Sequence, residues 1–370
     1  MAELKLLQIC SYYMGSGIYK NLFKELEDSE IDENILYYAS NESNLSDVPE
    51  NFIISQPYKR YDRLIFSIKH NKVYKDVVTK VNSDFNLSHA HSLISNGYIA
   101  YNLKKAYNIP YIVAVRNTDL FVFFRYLIHI RPLGVKILKN AEKIIFISPK
   151  YKEITLNKFV PLQIREQIEK KSVVIPNGID DYYLNNTFKG RKSIDDVIKL
   201  IYVGRVDDLN KNIRKLIKAC DILISKNKKI ELTLVGSLKR NWFKKLYLEK
   251  SYIRHIPQTD KEGVRKELMN SHIFVMPSKR ETFGLVYVEA MSQGLPVIYT
   301  ENQGFDGQFE EGEVGYHIKS YDAKDIANKI LIVVDNYDEI SSRVVQRSLK
   351  FNWKDISKKY IQIYNECMRK

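Results

Sequence analysis

Short apolar runs bounded by turn residues recur along this chain, each followed by an amphipathic stretch of helical length, and that alternation admits few folds. Runs at 6–10, 35–39, 52–55, 87–90, 111–115, 143–148 and 173–176 form one series, and runs at 200–204, 231–236, 253–256, 273–276 and 296–300 form a second. Strands alternating with helices build parallel sheets covered on both faces. The expected architecture is therefore α/β, with two doubly wound Rossmann-like domains that bind ligands at the carboxyl ends of their strands. At 370 residues the chain is long enough for each domain to bury its own core. Residues 181–196 are polar and aperiodic, so they read as a linker between a first domain over 1–180 and a second over 197–350. In the last segment, 351–370, Trp353, Ile356, Tyr360, Ile363, Tyr364 and Cys367 fall at helical spacing and predict an amphipathic terminal helix.

Charge and composition narrow the function classes. No run approaches the roughly 18 to 20 apolar residues of a membrane span, and the N-terminus opens on an apolar strand without the order of a signal peptide. Cys10, Cys220 and Cys367 are far apart and odd in number, which indicates neither a disulfide framework nor a zinc motif. A cytoplasmic protein is the expectation. The formal net charge of +14 is unevenly placed: residues 1–54 hold 3 Lys/Arg against 10 Asp/Glu, whereas residues 55–175 hold 21 against 8. Within the basic stretch, residues 121–131 set Phe121, Phe123, Phe124 and Tyr126 beside Arg125 and Arg131, as a segment touching an anionic membrane surface would. A buried helix with a solvated basic rim accounts for the same pattern. No nucleic-acid-reading motif accompanies the charge, so no nucleic-acid partner is expected.

The densest chemistry lies between 200 and 300. Glu281 and Glu289 flank Phe283, Gly284 and Leu285 just after the apolar run at 273–276. If a helix begins near Gly284, Glu281 sits at its mouth and Glu289 lies inside, with first-turn amides and the helix dipole favouring an anion. A sugar nucleotide needs such a site: amides for the diphosphate, and one carboxylate each for the ribose and the sugar hydroxyls. Taken alone, the pair also fits an acidic loop followed by a solvated helix residue. Upstream stand Gly204 and Arg205 at a strand end, Lys211 six residues on, and Gly236 after the next strand; downstream come Gly294, Leu295 and Pro296.

This array resembles the donor-binding half of the retaining glycosyltransferases of family 4, which have the GT-B fold. The resemblance implies that Arg205 and Lys211 neutralise the leaving diphosphate, that Glu281 holds donor hydroxyls, that Glu289 holds the ribose, and that Gly204, Gly236, Phe283, Gly284 and Leu285 line the donor. It implies transfer of a sugar from a nucleoside diphosphate to a saccharide or lipid-linked saccharide hydroxyl, with retention, with no covalent nucleophile, no cofactor and no metal. The terminal helix is expected to return to the first domain. One departure stands at Asn302, Gln303 and Gly304, where many relatives carry a glycine pair followed by Glu.

In the first half, Gly15, Ser16 and Gly17 follow the first strand, where glycine permits close backbone approach, and match the family's glycine loop. His89 and His91 share a strand face; no carboxylate or Cys beside them suggests a metal, and the family's second histidine approaches the transferred sugar, which selects His91. Arg116, Asn117 and Asp119 end a strand and are expected on the acceptor side, Arg116 standing where many relatives carry His. Two other classes fit parts of the pattern. A nonhydrolysing sugar-nucleotide epimerase shares the architecture, and a basic nucleic-acid-binding protein explains the charge but neither Glu281 nor Glu289. Peripheral contact with the inner face of the membrane completes the expectation.

Overall fold

In the computed structural model, which describes residues 3–27, 31–43, 49–81 and 84–369, thirteen parallel strands form two separate sheets. By contacts the chain divides into Met1–Pro176 together with Trp353–Lys370, and Asn177–Asn352. The first unit holds β1 (Lys5–Ile9), β2 (Asp32–Ser40), β3 (Phe52–Tyr58), β4 (Leu87–Ala90), β5 (Tyr111–Val115), β6 (Lys143–Phe146) and β7 (Ser172–Val174), in the order β3-β2-β1-β4-β5-β6-β7. The second holds β8 (Val197–Val203), β9 (Lys229–Val235), β10 (Ile253–Ile256), β11 (Ile273–Val275), β12 (Val297–Thr300) and β13 (Gly315–Ile318), in the order β10-β9-β8-β11-β12-β13. Each order reverses once, between β1 and β4 and between β8 and β11. Such a reversal opens a crevice at the carboxyl ends of the two central strands.

The register follows from burial on both faces. Every residue of β4, β5 and β12 is buried, so continuous apolar runs rather than alternating ones mark these central strands. β13 has no counterpart among the expected strands because only its two end residues are buried. It adheres through Gly315, at φ +145°, where a Cβ would lie 1.8 Å from the Val297 carbonyl oxygen. Only glycine allows that approach.

The terminal helix, Trp353–Met368, belongs to the first unit, and Lys370 lies outside the described residues. Its Trp353, Ile356, Tyr360, Ile363 and Tyr364 join Leu22, Phe23, Ile35 and Ile112 in one core. Burial of a large apolar side chain is worth about 1.5–3 kcal/mol, and a 16-residue helix is marginal alone. Packing therefore holds it in place. Residues 181–196, expected as a linker, lie in the second unit and are ordered by it. Asp180 accepts from the Tyr182 amide at 3.0 Å to cap a helix at Asp181–Asn185, and the Phe188 amide donates to the Ser292 carbonyl at 2.9 Å.

Candidate active site

The β8 and β11 ends gather the charged residues of the second unit. β8 runs into Gly204 at φ +145° and β9 into Gly236 at φ +143°. A Cβ on Gly236 would lie 2.0 Å from the Gly204 carbonyl oxygen, so the two chain ends meet in a way other residues forbid. A cavity of about 280 Å3 opens there, lined by Gly204, Arg205, Gly236, Ser237, Gln258 and Thr259 among others. A roomier cavity of about 650 Å3 lies between Phe188–Lys192 and Asp338–Val345. Volume does not decide between them; position at the reversal of strand order favours the smaller one.

Arg205 is held by Asp207, Nε to Oδ1 at 2.9 Å, while the other Asp207 oxygen accepts from the Lys239 amide at 3.0 Å. Burial pushes the Asp207 carboxyl up, but the hydrogen bonds from Arg205 and these amides outweigh it and hold it below the usual carboxylate range. The turn after β8 is stitched to the loop after β11. The Lys279 amide donates to the Asn210 carbonyl at 2.8 Å, and Asn210 Nδ2 donates to the Arg280 carbonyl at 2.8 Å. Lys211 Nζ consequently stands 2.6 Å from Glu281 Oε2, with Ser278 Oγ at 3.4 Å from the same oxygen.

Glu281 is positioned from three sides. Its amide donates to Gln303 Oε1 at 3.0 Å, its carbonyl accepts from the Gly304 amide at 3.3 Å, and its Oε1 accepts from the Thr282 amide at 3.1 Å. Gly304 lies so close that a Cβ would sit 1.7 Å from the Thr282 carbonyl oxygen. Gln303 and Gly304, where the sequence departs from its resemblance, thus form the bracket for Glu281. Gly284, in the left-handed region at φ +78°, precedes the helix Leu285–Ser292, and Tyr287 Oη ties that helix to the Met276 carbonyl at 2.9 Å. The Phe283 side chain is turned into the core against Phe305 and Phe351, at centroid distances of 6.3 and 5.6 Å. Only its backbone remains for a donor. Glu289, inside the helix, is pushed up to about 7 by burial and by Asp180, with Lys261 opposing. Lys261 itself pairs with Asp180.

In the first unit the polar groups turn inward. His91 has no exposed surface; its Nε2 pairs with Gln8 Oε1 at 2.8 Å and its ring packs edge-on against Tyr19 and Phe23, both at 5.2 Å. Burial first, then His89 and Arg116, push its pKa well below the usual value, so the ring is neutral. This placement corrects the expectation that its side chain reaches a sugar: the atoms it presents are on the backbone, where the His91 carbonyl accepts from Arg116 Nε at 3.2 Å and from Tyr19 Oη at 3.3 Å. Asp119, 1% exposed, accepts from the Leu93, Ile94 and Arg116 amides at 2.9–3.0 Å. It stitches two loops together rather than facing an acceptor. Arg116 is buried over the Tyr19 ring, and Asn117 Nδ2 donates to Tyr151 Oη at 2.9 Å. Gly15 and Gly17 have no left-handed φ, and a Cβ on either would meet nothing within 4 Å. The protein's own packing does not demand glycine there. Ser16 is half-buried between them. Arg131 donates from Nε to the Phe124 carbonyl at 2.5 Å and lies over Phe159, which removes it from the expected lipid-facing set.

Residues 185–350 match the family model described as glycosyl transferases group 1. The chain belongs to this glycosyltransferase family. The enzyme is 26% identical to an uncharacterized glycosyltransferase of Methanocaldococcus jannaschii over 97% of this chain and 95% of the relative. It is 31% identical to the capsular polysaccharide biosynthesis glycosyltransferase CapM of Staphylococcus aureus, over 51% of each. Among solved structures it resembles HepE of Anabaena in complex with UDP-glucose, with a TM-score of 0.66 at 15% identity over 98% of this chain and 100% of that one. The glycosyltransferase has the GT-B fold, and no helix among the described residues is long and apolar enough to cross a membrane. Among the described residues no group of three or more His, Cys, Asp or Glu side chains gathers in a way that could hold a metal ion.

Several residues of the enzyme's site escaped the sequence reading. Asp207 carried a signal, two positions after Arg205 at a strand end. Gln303 carried one in the very departure from the family pattern. Gln8 and Asp180 carried none, because their partners lie 83 and 81 positions away.

Proposed function

We propose that this glycosyltransferase moves a hexose-type sugar from a nucleoside-diphosphate sugar to a hydroxyl acceptor, with retention and without a metal ion. The observation that carries this reading is the Lys211–Glu281 pair at 2.6 Å, pinned where the strand order of the second unit reverses. Without ligand the two charges neutralise each other. A diphosphate offers Lys211 a denser anion, and Arg205 adds a second cation; both act as preorganised charges where the leaving group develops its own. First-turn amides of the helix Leu285–Ser292 reinforce them. Glu281, released from Lys211, accepts hydrogen bonds from sugar hydroxyls, and Glu289 accepts from the ribose. The bond from the anomeric carbon to the diphosphate breaks while the acceptor oxygen bonds to the same face, and the acceptor proton passes to the departing phosphate oxygen. No side chain needs to become covalently attached. His91, buried and neutral, shapes the wall through its carbonyl.

The acceptor in this reading is a lipid-linked or growing surface-polysaccharide intermediate at the cytoplasmic face of the membrane. The named activity of CapM supports it, as does the surface of the first unit. Tyr126 and Ile128 are 62% and 60% exposed beside exposed Arg125, and Leu64 is 88% exposed. Phe66 and Phe123, 6.1 Å apart, join the two segments. Incubation with a panel of sugar nucleotides and lipid-linked acceptors tests the proposal. Acceptor-dependent release of nucleoside diphosphate with an unchanged anomeric configuration is expected; release without acceptor, or an inverted product, overturns it.

A further inference from the structure

Between β9 and β10 the second unit makes an excursion whose chemistry the donor site does not use. A short helix, Asn241–Phe243, continues into a wide turn, Lys244–Leu248. Phe243 and Leu248 anchor it in the core, while Trp242 and Leu246, four residues apart on one face, are 47% and 63% exposed. Exposed Lys239, Lys244 and Lys245 flank them. Arg214, from the neighbouring helix Ile213–Ser225, lies 5.3 Å from the Trp242 ring and 5.2 Å from the Tyr247 ring, which fixes the indole as a platform. Residues 238–248 contain no carboxylate. The nearby Asp221 is taken by Lys250 at 2.7 Å, and Asp207 is turned inward onto Arg205 and the Lys239 amide.

We propose that residues 239–246 dock the second unit on an anionic lipid surface, with Trp242 and Leu246 entering the interface and the lysines meeting headgroup charge. A soluble polyanion would use the lysines but gain nothing from an exposed leucine. A bilayer uses both, because indole and aliphatic groups partition into the interfacial zone while lysine remains with the headgroups. Asp207 joins the base of this excursion to Arg205, so the docking element and a donor-site cation are anchored by one carboxylate.

The chain contains 2 Trp, and Trp353 is only 3% exposed, so emission changes on docking report Trp242. The intact protein is titrated with vesicles of phosphatidylcholine alone, or mixed with phosphatidylglycerol, with and without brominated acyl chains. Mixed vesicles are expected to shift the emission to the blue and brominated ones to quench it, with both signals lost in W242F. K244E/K245E, which alters exposed side chains only, should weaken partition by about thirtyfold or more. Sedimentation with vesicles while Trp242 is neither shifted nor quenched would assign docking to the first unit alone and overturn this proposal without touching the other. An equal blue shift with heparin would overturn it in favour of a soluble polyanion.

Discussion

At the ends of β8 and β11 the second unit leaves Arg205, Lys211 and Glu281 partly open, with 42%, 23% and 14% of their side-chain surfaces exposed. At the ends of β4 and β5 the first unit closes over His91 and Asp119, which are 0% and 1% exposed. The sheets share one plan, yet the same topological position serves ligand-ready charge in one and internal bracing in the other. The difference lies in what saturates each group. Lys211 and Glu281 hold each other through a contact that a ligand can replace, whereas Asp119 spends its carboxylate on three backbone amides that nothing else would satisfy.

The largest effect expected from this contrast is on donor binding. Lys211→Ala should weaken calorimetric affinity for the cognate sugar nucleotide by about a hundredfold, since a charge-assisted phosphate contact is lost, with little change in melting temperature. Equal affinities for wild type and variant would break the contrast at its stronger end. In the first unit the order should invert. Asp119→Ala strands three buried amides and should cost about 3 kcal/mol or more of stability, read by denaturant unfolding, while nucleotide affinity of the folded protein is retained. An Asp119→Ala protein of wild-type stability would show that the first unit does not depend on this brace.

A smaller effect concerns Glu289. Its pKa of about 7 in the folded chain exceeds the ordinary carboxylate value, so its contribution to stability is present below about pH 4.5 and lost as pH rises through 7. Ribose hydroxyls donate to the ionised form. Nucleotide affinity should therefore increase between pH 6 and 8, by about tenfold at most. Glu289→Gln should flatten this profile; a profile unchanged in the variant would remove Glu289 from the ribose site. The smallest expected effect is none. Transfer rates measured with and without EDTA should agree, and restoration by a divalent ion after chelation would show that Arg205 and Lys211 do not carry the leaving-group charge alone.

Legibility in the sequence followed the range of the interaction. Gly204, Gly236 and Gly284 were singled out as residues, and the structure adds why each is glycine: a left-handed φ and a close backbone approach. The central strands were visible as apolar runs because burial on both faces leaves no polar alternative. β13 was not, since only its two end residues are buried and it is held by a single glycine contact. Residues 181–196 looked like a linker because local polarity carries no record of the Ser292 carbonyl that orders Phe188. Phe283 was read as a donor contact from its place in the motif, but its ring belongs to Phe305 and Phe351.

By itself, then, the sequence determined the alternation that builds two parallel sheets, the amphipathic terminal helix, and the spacing that brings Glu281 and Glu289 to the start and interior of one helix. Those features depend on near neighbours and on periodicity, which a chain carries in its order. Only the tertiary structure decided that Lys211 meets Glu281 across 70 positions, that Gln303 brackets Glu281, and that His91 and Asp119 face inward. The physical reason is saturation. Whether a polar group is open to a ligand depends on which distant donors and acceptors have already claimed it, and that is settled when the chain packs.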